Sequence, residues 1–116
     1  MTDLSTMHCV PCEGGVEPLG SEAITDYLEQ TPGWEVVEED GEKRLRRAYE
    51  FESFARALEL TDRIGAAAEE QGHHPVLVTE WGKVTVTWWT HAIGGLHDND
   101  FVMAAKSDEI YRDMTG

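Results

Sequence analysis

Five histidines are the side chains of this 116-residue chain best suited to chemistry near neutral pH, and two of them, His73 and His74, are adjacent. Imidazole is the side chain whose ordinary titration falls between pH 5 and 8, so a cluster of imidazoles can give up and take back protons at a reacting centre. It can also ligate a metal ion. Gly72-His73-His74-Pro75 has the form of a break between elements. Glycine takes the left-handed conformation that ends a helix, and proline drives the residue before it into extended backbone. Adjacent extended residues point to opposite faces, which hinders joint chelation by His73 and His74 and favours acid–base work. His91 is a third imidazole. Asp100 is a carboxylate able to accept a hydrogen bond from an imidazole N–H, which fixes the tautomer and raises the basicity of the ring.

These groups need elements to bring them together. Phe54, Ala57, Leu58, Thr61, Ile64, Gly65 and Ala68 follow helical spacing and predict a helix over Phe54–Glu70, ending at the Gly72 break. Val76–Trp81, Gly82-Lys83 and Val84–Trp89 read as a hairpin rich in β-branched and aromatic residues. Val84, Val86 and Trp88 share one face, and Thr85, Thr87, Trp89 and His91 the other. Antiparallel pairing sets the start of one strand beside the end of the next, so His73, His74 and His91 are expected at one mouth of the sheet. A last helix starts near His97-Asp98, which puts Asp100 in its first turn. Each residue also has an ordinary reading: His91 as a surface histidine, His73 as a cation at a helix C-terminus, Asp98 as a cap and His97 as a surface residue. The coincidence of three imidazoles and a carboxylate favours a site. Trp34, Trp81, Trp88 and Trp89 supply flat surfaces for a planar ring, against the commoner use of tryptophan in a core.

Upstream, Ser21 is a candidate N-cap for a helix with Ala23, Ile24, Tyr27 and Leu28 on one face, stopped by Thr31-Pro32-Gly33. Trp34 and Val36 begin a strand, Glu39-Asp40-Gly41 is a hairpin turn, and Lys43–Phe51 returns with Leu45, Tyr49 and Phe51 on one parity. The order α-β-β-α-β-β-α predicts a single α+β domain, an antiparallel sheet with helices packed on one face, over residues 21–116. Residues 1–20, broken by Pro11, Gly14, Gly15, Pro18 and Gly20, read as an extended, solvent-exposed arm. Its Cys9-Val10-Pro11-Cys12 lacks the second pair a structural zinc site needs.

The chain carries 23 Asp plus Glu against 9 Lys plus Arg, a net charge of −14. That balance repels phosphates, so nucleic acid is not an expected partner. An acidic surface of this kind also suits a salty cytoplasm. There is no apolar run of membrane-spanning length and no basic-then-apolar leader pattern, so the expected location is cytoplasmic, with no membrane association.

Glu69-x3-His73-His74-Pro75, then Trp81 after five residues, His91 after nine more and Asp100 after eight more, resembles the pterin-4a-carbinolamine dehydratase family. The segment from Glu80 to His91, which resembles bacterial members closely, Pro32-Gly33-Trp34 and Tyr49-x-Phe51 add to the resemblance, which covers about residues 21 to 112. It implies a four-stranded antiparallel sheet with helices on one face, and homodimers or homotetramers built through the sheet edge and the long helices. It implies dehydration of 4a-hydroxytetrahydropterin to quinonoid dihydropterin, recycling the cofactor of an aromatic amino acid hydroxylase, with no metal or organic cofactor. His73 and His91 would be the acid–base pair, and His74 would bind and polarise the pterin. Asp100 would orient an imidazole, Pro75 would aim the two adjacent histidines, and Trp34 and Trp81 would line the pocket. Two other uses stay open: a protein-interaction or coactivator module presenting Gly65-Ala66-Ala67-Ala68, as animal members of the family do with a transcription factor, and a metalloprotein ligating through His73, His91 and Asp100.

Overall fold

A computed structural model describes residues 4–7, 9 and 17–115, Ser5 by its backbone only. His8 and Cys12 lie outside the described residues, and with them the second half of the Cys-x-x-Cys pair. Three helices, α1 (Ser21–Gln30), α2 (Phe54–Gln71) and α3 (Asp98–Thr115), accompany four strands, β1 (Glu35–Glu39), β2 (Glu42–Glu50), β3 (Val76–Glu80) and β4 (Lys83–Trp88). The sheet is antiparallel throughout, in the order β1-β2-β4-β3. The α-β-β-α-β-β-α order and the α+β class expected from the sequence are what the fold has.

Two-residue turns set the register of both hairpins. Asp40 and Gly41 both have positive φ (54° and 76°), the twist that suits a tight hairpin, and Glu39 pairs with Glu42 across them. In the second hairpin Glu80 pairs with Lys83, so β3 ends one residue early and Trp81 falls in the turn rather than on the strand. The period-two reading of β4 holds: Val84, Val86 and Trp88 are fully buried, facing the helices with Leu45 and Tyr49 of β2 opposite them. Ala57, Leu60, Ile64 and Ala68 of α2, with Phe101, Val102 and Ala104 of α3, close that core. The α1 helix joins through Tyr27, stacked on Phe101 at 4.9 Å.

Helix ends differ from expectation at α1 only in detail. Gly20 holds the cap position without a side-chain bond and Ser21 is the first helical residue. Ser53 caps α2 by accepting the Arg56 N–H at 3.2 Å. At the other end Gly72 is left-handed (φ 67°), its N–H bonded to the Glu69 carbonyl, and the His73 N–H reaches the Ala68 carbonyl. This Schellman motif leaves the chain pointing toward β3, with His73 as the first residue after the cap.

The N-terminal arm is corrected where it is described. Leu4–Thr6 forms a 3-10 turn against α3, and Leu4 is buried rather than solvent-exposed. Met7 and Cys9 are half-buried against the core. Among the described residues no helix is long and apolar enough to cross a membrane.

Candidate active site

The β3–β4 register carries the site. Val76 pairs with Thr87, so residues just before β3 and just after β4 meet at one end of the sheet. A cavity of about 500 Å³ opens there, lined by His73, His74 and His91. The three imidazoles expected at one mouth are brought together, and Asp100 lies beneath them, fully buried.

His73 is the most constrained. Its Nε2 lies 2.6 Å from Asp100 Oδ1, and its ring lies parallel to the Trp88 indole (centroids 5.7 Å apart, planes 9° apart). Asp100 Oδ2 accepts from the Thr90 hydroxyl and from the His97 backbone N–H, both at 2.9 Å. A carboxylate that accepts all three bonds requires a His73 proton on Nε2. The same carboxylate completes a capping box for α3. His97 precedes the helix, its Nδ1 accepts the Asn99 N–H at 3.1 Å, and Asp100 reaches back to the His97 N–H. Asp98, the residue the sequence reading favoured as a cap, is exposed, while Asp100 and His97 do that work.

His74 points the other way. Its Nε2 meets Glu69 Oε1 at 2.6 Å in an exposed pair at the cavity rim. His91 opens the 3-10 turn His91–Ile93 and is exposed. Its Nδ1 accepts the Trp89 indole N–H at 3.2 Å, the two rings meeting edge to face at 4.5 Å. His73 Nε2, His74 Nε2 and His91 Nδ1 each bond a different partner. Among the described residues no group of three His, Cys, Asp or Glu side chains is arranged to hold a metal ion.

Two expected pocket residues are elsewhere. Trp34 is buried under the sheet, its Nε1 donating to both Asp108 oxygens at 3.0 Å, and does not border the cavity. Trp81, 73% exposed, sits in the β3–β4 turn. Five residues of extended chain, about 16 Å, separate it from the His73 end. Pro75 contributes through backbone direction, half-buried between the Gly72 cap and β3, and is not on the cavity wall.

Of the four tryptophans expected to offer flat surfaces, Trp89 borders the cavity, and the remaining walls were not anticipated. Trp89 and Thr90 line the cavity beside His91, and Asn99 and Gln71 face them. The arm closes one side: the Cys9 N–H donates to Gln71 Oε1 at 2.9 Å, and its thiol lies 3.9 Å from the Asn99 carbonyl. Burial pushes the Cys9 thiol up to about 11, the Lys106 charge opposing and the Asp100 charge adding. The signal for Trp89 was present in its parity with His91; for Cys9 nothing in the spacing pointed to the cavity.

The family model described as pterin 4 alpha carbinolamine dehydratase matches residues 17–110. A protein of Chlorobaculum tepidum, provisionally named pterin-4-alpha-carbinolamine dehydratase, is 51% identical over 95% of this chain and 99% of its own. One from Microcystis aeruginosa with the same provisional name is 50% identical over 97% of each. Among solved structures, a transcriptional coactivator/pterin dehydratase from Brucella melitensis superposes with a TM-score of 0.74 at 29% identity, covering 81% of this chain and 98% of that one. A pterin dehydratase-like protein described as a RuBisCO assembly factor in the alpha-carboxysome shares the fold (TM-score 0.57, 22% identity, 67% of this chain and 88% of that one).

Proposed function

The chain belongs to the pterin 4 alpha carbinolamine dehydratase family, and on that premise we propose that residues 21–116 are a dehydratase domain that removes water from 4a-hydroxytetrahydropterin, leaving quinonoid dihydropterin. The observation that carries the reading is the His73–Asp100 pair at the edge of a cavity also lined by His91. In the elimination the C4a–O bond breaks and the oxygen leaves as water with an added proton. The N5 lone pair becomes the second bond of N5=C4a, and the N5 proton goes to a base, its bonding pair staying on N5 as the new lone pair. Imidazoles suit both transfers, each typically worth about 10²–10⁴-fold. In this reading His73 and His91 handle the protons, Asp100 orients His73, and His74 binds and polarises the pterin from the rim. No cofactor enters the reaction. The physiological role would be cofactor recycling beside an aromatic amino acid hydroxylase in the cytoplasm.

The test is a hydroxylase-coupled assay of dihydropterin formation with purified protein. Acceleration over the spontaneous reaction supports the proposal, and none removes it. His73→Ala and His91→Ala should each lower the rate, and a full rate in either would remove that residue from the chemistry.

We further propose that the chain self-associates as a dimer or tetramer. Val76 and Val78 on edge strand β3, and Phe54 and Leu58 on α2, are 43–47% exposed, and apolar groups on an unpaired strand edge favour association. A monomer alone in sedimentation at micromolar protein would overturn this.

A further inference from the structure

We infer that Trp89 is a positioning residue that locks His91 with its proton on Nε2, which narrows the proposed acid–base pair to one proton carrier, His73, with His91 as a fixed hydrogen-bond donor. The inference rests on the dehydratase reading for its chemistry, and on two hydrogen bonds for its geometry.

The two imidazoles are held in different ways. His73 donates from Nε2 to a buried carboxylate at 2.6 Å. That arrangement stabilises positive charge on the ring when Nδ1 also holds a proton, so His73 can cycle between its two protonation states. His91 has an indole N–H, 3.2 Å away, occupying its Nδ1 lone pair. A proton on that Nδ1 would set two N–H groups against each other, so the neutral ring with Nε2–H is the state this contact favours. A neutral imidazole cannot readily give its last proton away, but it can hold a hydrogen bond on an oxygen that is gaining charge.

Trp89 is itself fixed. It is buried, and the Arg44 guanidinium lies 4.1 Å over its ring, a favourable cation–π placement. Arg44 is held in turn by Glu39 at 2.7 Å and Glu42 at 3.2 Å. Strand β2 thereby sets the indole direction, and the indole sets the His91 tautomer.

The reaction balances on one proton carrier. Protonated His73 gives its Nδ1 proton to the departing 4a-hydroxyl, which leaves as water while His91 Nε2–H hydrogen-bonds the same oxygen. The N5 lone pair forms the double bond to C4a. Neutral His73 Nδ1 then takes the proton from N5, giving quinonoid dihydropterin and restoring protonated His73.

Long-range proton–nitrogen NMR of the ¹⁵N-histidine-labelled parent, under mildly alkaline conditions where ordinary imidazoles are neutral, decides the lock without any activity. A single His91 pattern with the proton on Nε2 is expected; a proton on Nδ1, or a mixture of tautomers, overturns it. Trp89→Phe keeps an aromatic ring under Arg44 and removes the N–H together with the rest of the indole's second ring. It should turn the single pattern into a mixture and lower kcat about tenfold, a part of the usual acid–base contribution, with KM within about twofold. An unchanged kcat beside a changed tautomer would overturn the catalytic half. Rescue separates donor from proton carrier: His91→Gln, which restores an N–H, should exceed His91→Ala, whereas His73→Gln should not exceed His73→Ala. Equal rates for both His91 variants would sink the donor role. A parent with no dehydratase activity would remove the proposed function, while the NMR pattern would still decide the tautomer.

Discussion

The His73 imidazole lies parallel to the Trp88 indole, 5.7 Å between centroids and 9° between planes, so a core residue of β4 fixes the plane of a ring whose direction Asp100 fixes. Trp88 is fully buried opposite Leu45, and its Nε1 is a buried donor without a partner among the described residues. Trp88→Ala should cost about 3–5 kcal/mol from the cavity it leaves and most of the activity with it. Trp88→Phe loses packing too, but it also removes an unpartnered N–H whose burial costs on the order of 1–3 kcal/mol. The Phe variant should stay within about 1.5 kcal/mol of the parent and keep most of its turnover. Urea midpoints and turnover per folded molecule check both; a Phe variant as unstable as the Ala variant would show that the indole N–H costs nothing.

Asp100 serves the site and the fold at once, and Asp100→Asn separates the two. The amide NH₂ would face one of three donors now satisfied by carboxylate oxygens: the His73 Nε2–H, the Thr90 hydroxyl or the His97 N–H. The capping loss is about 1 kcal/mol. Loss of the charge behind His73 should lower kcat about 10²- to 10⁴-fold, as when a carboxylate behind a catalytic imidazole is neutralised. A variant that unfolds near the parent's urea midpoint yet keeps full turnover would exclude Asp100 from the chemistry.

How much of this was legible in the sequence depends on whether a residue's partner is local. Gly72, Asp40-Gly41 and the alternation Val84-Val86-Trp88 are governed by neighbours within a few residues, and all three adopt the expected conformation. The shared mouth for His73 and His91 needed only the hairpin, with both histidines next to paired strands. Trp34 and Trp81 were legible as flat apolar side chains but not as positions. The Trp34 partner, Asp108, is 74 residues away, and the fate of Trp81 turned on a one-residue difference in where β3 ends. The role of Cys9 depends on how the arm packs against α3, and no spacing rule reports that.

Cys9 gives a pH dependence with a definite sign. Its thiol is raised from 9.0 to about 11, chiefly by burial. Between those values the unfolded chain has lost the proton that the folded chain keeps, so stability is present below pH 9 and is lost as pH rises through about 11. Urea midpoints at pH 8 and pH 10.5 should therefore fall further for the parent than for Cys9→Ser, since every other alkaline group is common to both. Identical falls would mean the thiol is not shielded as the cavity wall requires. A pterin bound in the cavity should also slow alkylation of Cys9 in a Cys12→Ser background, because Cys9 lines it.

Asp108 holds a second polar cluster beneath the sheet, remote from the chemistry. It accepts from Trp34 Nε1, from the Tyr49 hydroxyl at 2.5 Å and from Arg47 at 2.7 Å. Burial, with the Asp108 charge second, pushes the Tyr49 phenol far above its ordinary range, so Tyr49 remains a donor. Asp108→Ala strands two buried donors, Trp34 Nε1 and the Tyr49 hydroxyl, and should cost about 1–3 kcal/mol for each. Trp34→Phe strands none and should cost less, since Tyr49 and Arg47 still occupy the carboxylate. Neither change touches the cavity, so KM for the pterin should stay at the parent value in whatever fraction is folded. A KM raised in Trp34→Phe at unchanged stability would return Trp34 to the binding site, the place its ring chemistry alone suggested.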